Sequence, residues 1–418
     1  MTLQKRFAAE MGRLFAGRRP ERLGVACSGG SDSMALLALA CAWADGHPRV
    51  TAITINHNLR DRAAEEAAFV GRAAKSLGAA HVLSDWVWNR RGNLQDAARR
   101  GRHGALLEWQ DRTGADAILL GHTADDQAET VLMRLMRGSG VEGLCGMFPE
   151  PEKIAPGRRL DREKSFMRPL LGFTRQELRD WLKGRGLAWR DDPSNTDPRF
   201  DRAKAREVLK TLAPLGVTGS GLIETANRMK RAREALARRA QDVAGRIVAV
   251  DAGDVVFDRS GLAQVEPDTR FRLVAHALRY VSNAAYRPRF ASLERLVKNG
   301  LAGENGSLHG CILKTTSSDL RICREFRAVS GIAVGIGECW DGRWLICGKA
   351  RDASAGGATG EIRALGEAGL AQLPDWRIPG VPRVSAMAQP GVWMGETVVA
   401  APTLRLGRPF AAKWCGRL

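Results

Sequence analysis

The sequence predicts an α/β protein in which a parallel-sheet domain comes first, a small helical domain follows, and an α+β domain ends the chain. Three observations predict this order. Short apolar runs alternate with helical stretches from Gly24 to Arg137, which is typical of a parallel sheet with right-handed crossovers. A long arginine-rich helical stretch then covers Glu224–Val248, and β-branched and alternating runs begin after Leu308. We therefore predict domains over 1–214, 215–305 and 306–418.

The first strand of this pattern leads into a turn of small residues and then into a strong helix. The turn, called here the phosphate loop, consists of Ser28, Gly29, Gly30, Ser31, Asp32 and Ser33. Adjacent glycines let a backbone approach a ligand closely, and the N–H groups of a helix start bind anions. Asp32 adds a carboxylate with which Mg²⁺ can bridge to a phosphate. These features predict a cradle for the phosphates of a nucleotide, although the loop matches neither the Walker pattern nor GxGxxG. A tight turn capped by aspartate is the alternative interpretation.

Two more polar segments follow later strands and are expected at the same sheet edge, where the carboxyl ends of parallel strands meet. One is Asn56–Arg60, which contains His57 and serves either as a nucleotide contact or as a solvated loop. The other begins at Gly121 and carries His122 and an acidic helix start. Its carboxylates either cap the helix or hold an ammonium group or a metal ion. The acidic residues are Asp125, Asp126 and Glu129, followed by a cationic rim at Arg134 and Arg137.

Composition narrows the classes of protein and partner. The chain has 418 residues and a formal net charge of +18, which favours a polyanionic partner. It carries no apolar run long enough to cross a bilayer and no secretory leader pattern, so we expect a cytoplasmic protein without a membrane partner. Its eight cysteines form no CxxC pair. We expect a reducing compartment, no disulfide framework, and neither a zinc nor an iron–sulfur site.

The phosphate loop resembles the SGGxDS signature of the PP-loop ATP pyrophosphatases, whose fold is adenine nucleotide alpha hydrolase-like. Further motifs resemble one family within that group, the tRNA(Ile)-lysidine synthetases. The resemblance covers about residues 20 to 210. The matching segments are His57–Arg60, Asn93–Gln95, Gly121-His122, Asp125–Gln127, Glu129-Thr130, Arg134-Leu135, Arg137–Gly140, Arg168–Leu171 and Asp192–Asn195.

The resemblance implies a two-step reaction on tRNA(Ile) with a CAU anticodon. ATP and Mg²⁺ activate carbon 2 of the wobble cytidine as an adenylate, and free L-lysine then displaces AMP to give lysidine. The phosphate loop would hold the departing phosphates, with Asp32 on Mg²⁺. The three acidic residues would hold the lysine, His122 and Arg137 would contact the phosphate or adenylate, and His57 would bind nucleotide. The later domains would grip the tRNA through its phosphates.

The sequence departs from the family pattern at two places, and two other functions stay open. Asn56 replaces an aspartate, and Arg202–Arg206 reads Arg-Ala-Lys-Ala-Arg where the family has Arg-Asn-Arg-x-Arg. A PP-loop tRNA thiolase would use the same ATP step, although the absence of CxxC argues against it. A non-catalytic RNA-binding protein with a vestigial nucleotide fold is the alternative from another class, and the intact Asp32 argues against it.

Overall fold

The computed structural model describes residues 1–56, 63–85, 94–150, 166–191, 201–284, 286–348, 360–377, 381–407 and 409–416. The chain divides into two compact units, Met1–Arg233 and Glu234–Leu418. The division into three domains at 214 and 305 stays a prediction.

The first unit contains a parallel five-stranded sheet, which confirms the predicted fold class. The strand order is β3-β2-β1-β4-β5, so the chain moves outward from β1 on one side and then returns to build the other side. In such sheets the crevice beside the first strand, at the carboxyl ends, is the usual ligand site. The strands are β1 (Arg22–Ala26), β2 (Arg49–Asn56), β3 (Ala80–Asp85), β4 (Ala117–Leu120) and β5 (Phe166–Met167).

Helices pack against this sheet and against each other because each buries an apolar face. The second helix is buried along most of its length, and the seventh packs on it. The fifth and seventh begin with capping boxes, Thr123 with Asp126 and Thr174 with Glu177, which set where each helix starts. The helices are α1 (Leu3–Leu14), α2 (Ser31–Ala44), α3 (Ala63–Ser76), α4 (Leu94–Thr113), α5 (Ala124–Met136), α6 (Val141–Leu144), α7 (Arg175–Lys183), α8 (Asp201–Leu212) and α9 (Gly219–Ile247).

The second unit combines helices with three antiparallel sheets, ordered β6-β7-β10-β9-β8, β11-β14-β15-β16 and β12-β13-β17. The sequence predicts a mainly helical domain over residues 215–305, but the structure has a hairpin of β6 and β7 within this range. Val255 and Phe257 of that hairpin are buried against helices, and this burial defines the strand.

The elements of the second unit are β6 (Val248–Asp251), β7 (Asp254–Asp258), α10 (Arg259–Gln264), α11 (Pro267–Ser282), α12 (Phe290–Ala302), β8 (Gly306–Leu308), β9 (Cys311–Thr315), β10 (Asp319–Arg324), β11 (Ala333–Gly335), β12 (Cys339–Trp340), β13 (Trp344–Cys347), β14 (Glu361–Ala364), α13 (Gly366–Gln372), α14 (Arg383–Met387), β15 (Pro390–Met394), β16 (Thr397–Ala400) and β17 (Ala411–Trp414).

The cysteines correct one expectation. Cys339 and Cys415 form a disulfide, although 76 residues separate them in the sequence. Cys339 begins β12 and Cys415 follows β17, and both strands pair with β13, so the sheet brings the two thiols together. Cys27 is a buried free thiol.

None of the helices in the described ranges is both long enough and apolar enough to cross a membrane.

A buried carboxyl group in the second unit makes its stability depend on pH. Asp254 is 1% exposed and accepts hydrogen bonds from Arg321 Nη1 (2.9 Å) and Ser385 Oγ (2.5 Å). Burial outweighs these donors and raises the pKa of Asp254 to about 6. Because the unfolded pKa is near 3.9, protonation favours the folded state, and this stabilisation is full below about pH 4 and lost as pH rises through about 6.

We therefore expect the free energy of unfolding to fall by ~2 kcal/mol between pH 4 and pH 7 relative to an Asp254→Asn variant, which cannot titrate. Urea unfolding of both proteins at several pH values measures this difference. Parallel curves over that range would contradict the assignment.

Candidate active site

The phosphate loop is held in a tight conformation by its own polar groups. Ser28 N donates to Ser33 Oγ (3.2 Å), and Ser33 Oγ donates to Gly30 O (3.0 Å). Gly29 has a φ of +84°, a conformation that side chains with a Cβ rarely adopt. The loop ends at the first turn of α2, whose N–H groups have no acceptor within the helix. This arrangement is a general binding site for a phosphate or another anion.

The segment after β4 lies directly against this loop. A Cβ on Gly121 would stand 3.2 Å from both the carbonyl carbon of Asp32 and the backbone N of Ser33. Only a residue without a side chain fits this approach without moving the start of α2. The glycine therefore sets the distance between the phosphate loop and the acidic helix α5.

We expect Gly121→Ala to raise the KM for ATP about 10-fold or more, because the backbone of the phosphate loop must shift to admit the methyl group. The control is Gly104→Ala in α4, where a Cβ meets nothing within 4 Å. Steady-state kinetics and a thermal melt of both variants measure the effect. An unchanged KM for a folded Gly121→Ala protein would show that the loop tolerates the displacement.

A single arginine joins the phosphate loop to the acidic helix. Arg175, the first residue of α7, donates from Nε to Asp32 Oδ2 at 2.9 Å, and its Nη2 lies 3.5 Å from Asp126 Oδ1. Its backbone N donates to Asp125 Oδ2 at 2.7 Å. Asp126 also accepts from Thr123 and lies 3.4 Å from Arg202 Nη1. Two carboxylates thus pair with one guanidinium group, and a third accepts the backbone N–H of the same residue.

Glu129, the second acidic residue on α5 that pairs with an arginine, is more deeply buried than Asp126. Glu129 is fully buried, and its Oε1 accepts from Arg206 Nε at 2.5 Å. Glu129 and Asp126 are three residues apart on α5, and Arg206 and Arg202 are four apart on α8, which packs on α5. Two acidic residues on α5 therefore face two arginines on α8.

The surroundings move the pKa values of these carboxyl groups in opposite directions. Burial raises the pKa of Asp32 and of Glu129, and in each case it outweighs the nearby arginine. Burial acts the same way on Asp126, but Arg202, the Thr123 backbone and Arg175 together hold its pKa below the usual range. Carboxyl groups with separated pKa values are typical of sites that perform acid–base chemistry.

Comparison with known proteins identifies the family. A family model described as a PP-loop domain matches residues 3–212. A tRNA(Ile)-lysidine synthase of Ruegeria pomeroyi is 41% identical over 402 residues, which are 96% of this chain and 92% of the relative. The chain belongs to the tRNA(Ile)-lysidine synthase family. A namesake from Hyphomonas neptunium is 35% identical over 77% of this chain and 85% of its own length, and one from a Bradyrhizobium species is 36% identical over 65% and 77%.

The predicted family, and with it the predicted class of ATP-using, tRNA-modifying ligase, is confirmed. Of the site residues predicted from the sequence, the phosphate loop, Asp125, Asp126 and Glu129 come together around Arg175. His122 lies close enough to Asp126 for its charge to lower the carboxyl pKa. Arg137 forms an exposed ion pair with Asp201 at 2.8 Å. His57 lies outside the described residues.

Four arginines that contact the phosphate loop or the acidic helix α5 were not among the site residues predicted from the sequence. The sequence singled out Arg202–Arg206 only as a departure from the family pattern. In the structure Arg202 and Arg206 face the acids, whereas Lys204 is exposed and Ala203 is buried. The spacing of acids on α5 and arginines on α8 was the available signal. The missed arginines are Arg175, Arg179, Arg202 and Arg206.

Proposed function

We propose that the chain joins free L-lysine to carbon 2 of the wobble cytidine in tRNA(Ile) bearing a CAU anticodon, through an adenylated cytidine and with cleavage of ATP to AMP and pyrophosphate. The observation that carries the proposal is the bridge through Arg175. It places an anion-binding loop and a cation-binding acidic cluster within the reach of one guanidinium. A reaction that uses a nucleoside triphosphate and an amino acid with a cationic side chain needs both an anion-binding site and a cation-binding site.

In the first step the phosphate loop and the N–H groups of α2 bind the phosphates of ATP. Arg175 and Arg179 lie beside the loop. Arg175 Nε donates to Asp32 Oδ2 at 2.9 Å, and Arg179 Nε donates to Ser31 Oγ at 3.2 Å. Their charges stabilise the negative charge that grows on the departing pyrophosphate. The oxygen of carbon 2 forms a bond to the α-phosphorus, and the bond to the β-phosphate oxygen breaks.

Mg²⁺ fits this site through one protein ligand. Among the described residues no three histidine, cysteine or acidic side chains gather to hold a metal ion. Mg²⁺ commonly binds one or two carboxylates and completes its shell with phosphate and water. Asp32, at the start of α2, would be that carboxylate. A bound Mg²⁺ would neutralise phosphate charge during the first step.

In the second step the acidic cluster holds lysine. Asp126 has a lowered pKa and stays ionised, which suits it to bind a cationic group. Glu129 has a raised pKa and is the better acceptor for the proton that the side-chain ammonium must lose. The amine nitrogen then forms a bond to carbon 2, and the carbon–oxygen bond to AMP breaks.

The test is transfer of labelled lysine to an unmodified tRNA(Ile) transcript with ATP and Mg²⁺. We expect label with the wild type and at least a ~100-fold lower rate with Asp32→Asn. Asp45→Asn, at the other end of α2, is the matched control, because its exposed, left-handed position suits asparagine.

The same assay separates the two alternatives. Release of pyrophosphate with tRNA but without lysine label would indicate a different nucleophile, as in a thiolase. Salt-sensitive tRNA binding without any use of ATP would indicate a non-catalytic RNA-binding protein.

A further inference from the structure

The second unit exposes two aromatic rings within five residues of each other. Tyr286 is 82% exposed and Phe290 is 61% exposed, and both lie where the chain leaves α11 and enters α12. Large aromatic side chains usually bury most of their surface, so two exposed rings on one short segment indicate a surface for a partner. We call Tyr286–Phe290 the aromatic segment.

Positive charge surrounds these rings. Between Arg279 and Phe290 the sequence carries three arginines and no acidic residue. Arg287 and Arg289 are exposed. The pKa of His276 on α11 is lowered by desolvation and then by the charges of Arg279 and Arg287, so both arginines lie near this side chain. Glu294, one turn into α12, is an exposed acid near it in the sequence.

The ring of Phe290 and the backbone at Tyr286 are held in place. Phe290 packs edge-on against Phe271 of α11, with the ring centres 5.2 Å apart. The carbonyl oxygen of Tyr286 lies 2.9 Å from His309 Nε2. One ring edge and the backbone are thus anchored, while the remaining ring faces stay open to solvent. An ordered ring loses little conformational freedom on binding, which favours stacking against a flat partner.

We propose that the aromatic segment binds unpaired nucleotides of RNA, with Tyr286 and Phe290 stacking on bases and Arg287 and Arg289 contacting the adjacent phosphates. Exposed rings interleaved with arginines suit single-stranded nucleic acid, because every base offers a stacking face and every nucleotide a negative charge. This rests on the proposed function, since it assigns to the second unit a contact with the tRNA substrate. An apolar protein surface would be a poorer match, because two arginines lie between the rings in the sequence.

The test measures the Kd for the tRNA(Ile) transcript as a function of salt. Loss of one stacking ring is expected to weaken binding about 5-fold to 100-fold. Tyr286→Ala and the double change Tyr286→Ala with Phe290→Ala should do this with an unchanged slope of log K against log salt. Arg287→Gln with Arg289→Gln should make the slope less steep by ~0.7 for each lost contact with a single strand.

The controls are Val250→Ala, another exposed apolar side chain, and Arg405→Gln, another exposed arginine, both in the second unit. Tyr286→Ala removes little packing, so it remains informative even if the double variant is unstable. Tyr286→Trp should restore affinity. Unchanged tRNA binding by Tyr286→Ala and by the folded double variant would overturn the proposal, as would loss of self-association with unchanged RNA affinity, which would indicate a protein partner.

The two proposals can fail separately. With saturating tRNA the Tyr286→Ala protein should transfer lysine at the wild-type rate, while its KM for tRNA rises. If the wild type transfers lysine and the KM for tRNA of the Tyr286→Ala protein does not rise, only the proposal for the aromatic segment is overturned. Absence of lysine transfer by the wild type counts against the proposed function instead.

Discussion

Replacing Arg175 by alanine is expected to lower kcat/KM for ATP by about 100-fold or more, because it removes a positive charge from the developing pyrophosphate. It also leaves Asp32 and Asp126 without the cation that they share. Burial already raises the pKa of Asp32, and Arg175 is the main opposing influence. Without it that pKa rises further, so the acid limb of the pH–rate profile should move to higher pH.

The shift of the pH profile separates this role from a loss of folding, which would lower activity equally at every pH. Arg175→Lys should resemble the alanine variant more than the wild type, since an ammonium group cannot contact two carboxylates with a planar fork. Arg185→Ala is the matched control, because Arg185 lies just beyond the same helix, is exposed, and stacks on Trp181. A profile unchanged by Arg175→Ala would rule out the electrostatic role.

The second large effect concerns the buried pair of Glu129 and Arg206. Glu129→Gln keeps the shape of the side chain but removes the group that accepts the proton, so kcat for lysine transfer should fall about 100-fold while the KM for ATP changes little. Glu129→Leu should also cost ~3–5 kcal/mol in the free energy of unfolding, because it removes the buried carboxylate that pairs with the partly buried Arg206. Lysine kinetics and urea unfolding measure the two effects.

A double variant distinguishes a purely structural role of Glu129 from a role in the reaction. Glu129→Leu combined with Arg206→Met replaces the ion pair by apolar side chains and should recover most of the stability, yet lysine transfer should stay lost. Glu224→Leu is the control for stability, since its pair with Arg228 on α9 is exposed and contributes less than ~1 kcal/mol. If the stable double variant still transfers lysine, Glu129 has only a structural role.

Much of the site could be predicted because its parts are local. The strand, turn and helix from Gly24 to Ala40 follow from side-chain size and backbone preference within a few residues. The alternation of strands and helices then implies a parallel sheet, and the common edge of that sheet brings the loop after β1 next to the segment after β4.

The sequence by itself therefore determined the α/β class, the phosphate loop and the acidic helix start, because each depends on patterns spanning one or two elements. Only the tertiary structure decided which charges neutralise one another. Arg175 reaches Asp32 across 143 positions, and Arg206 reaches Glu129 across 77. The disulfide between Cys339 and Cys415 likewise joins residues that are far apart in the sequence. Ion pairing depends on separation in space, and for residues so distant along the chain that separation is set by the packing of whole helices and sheets.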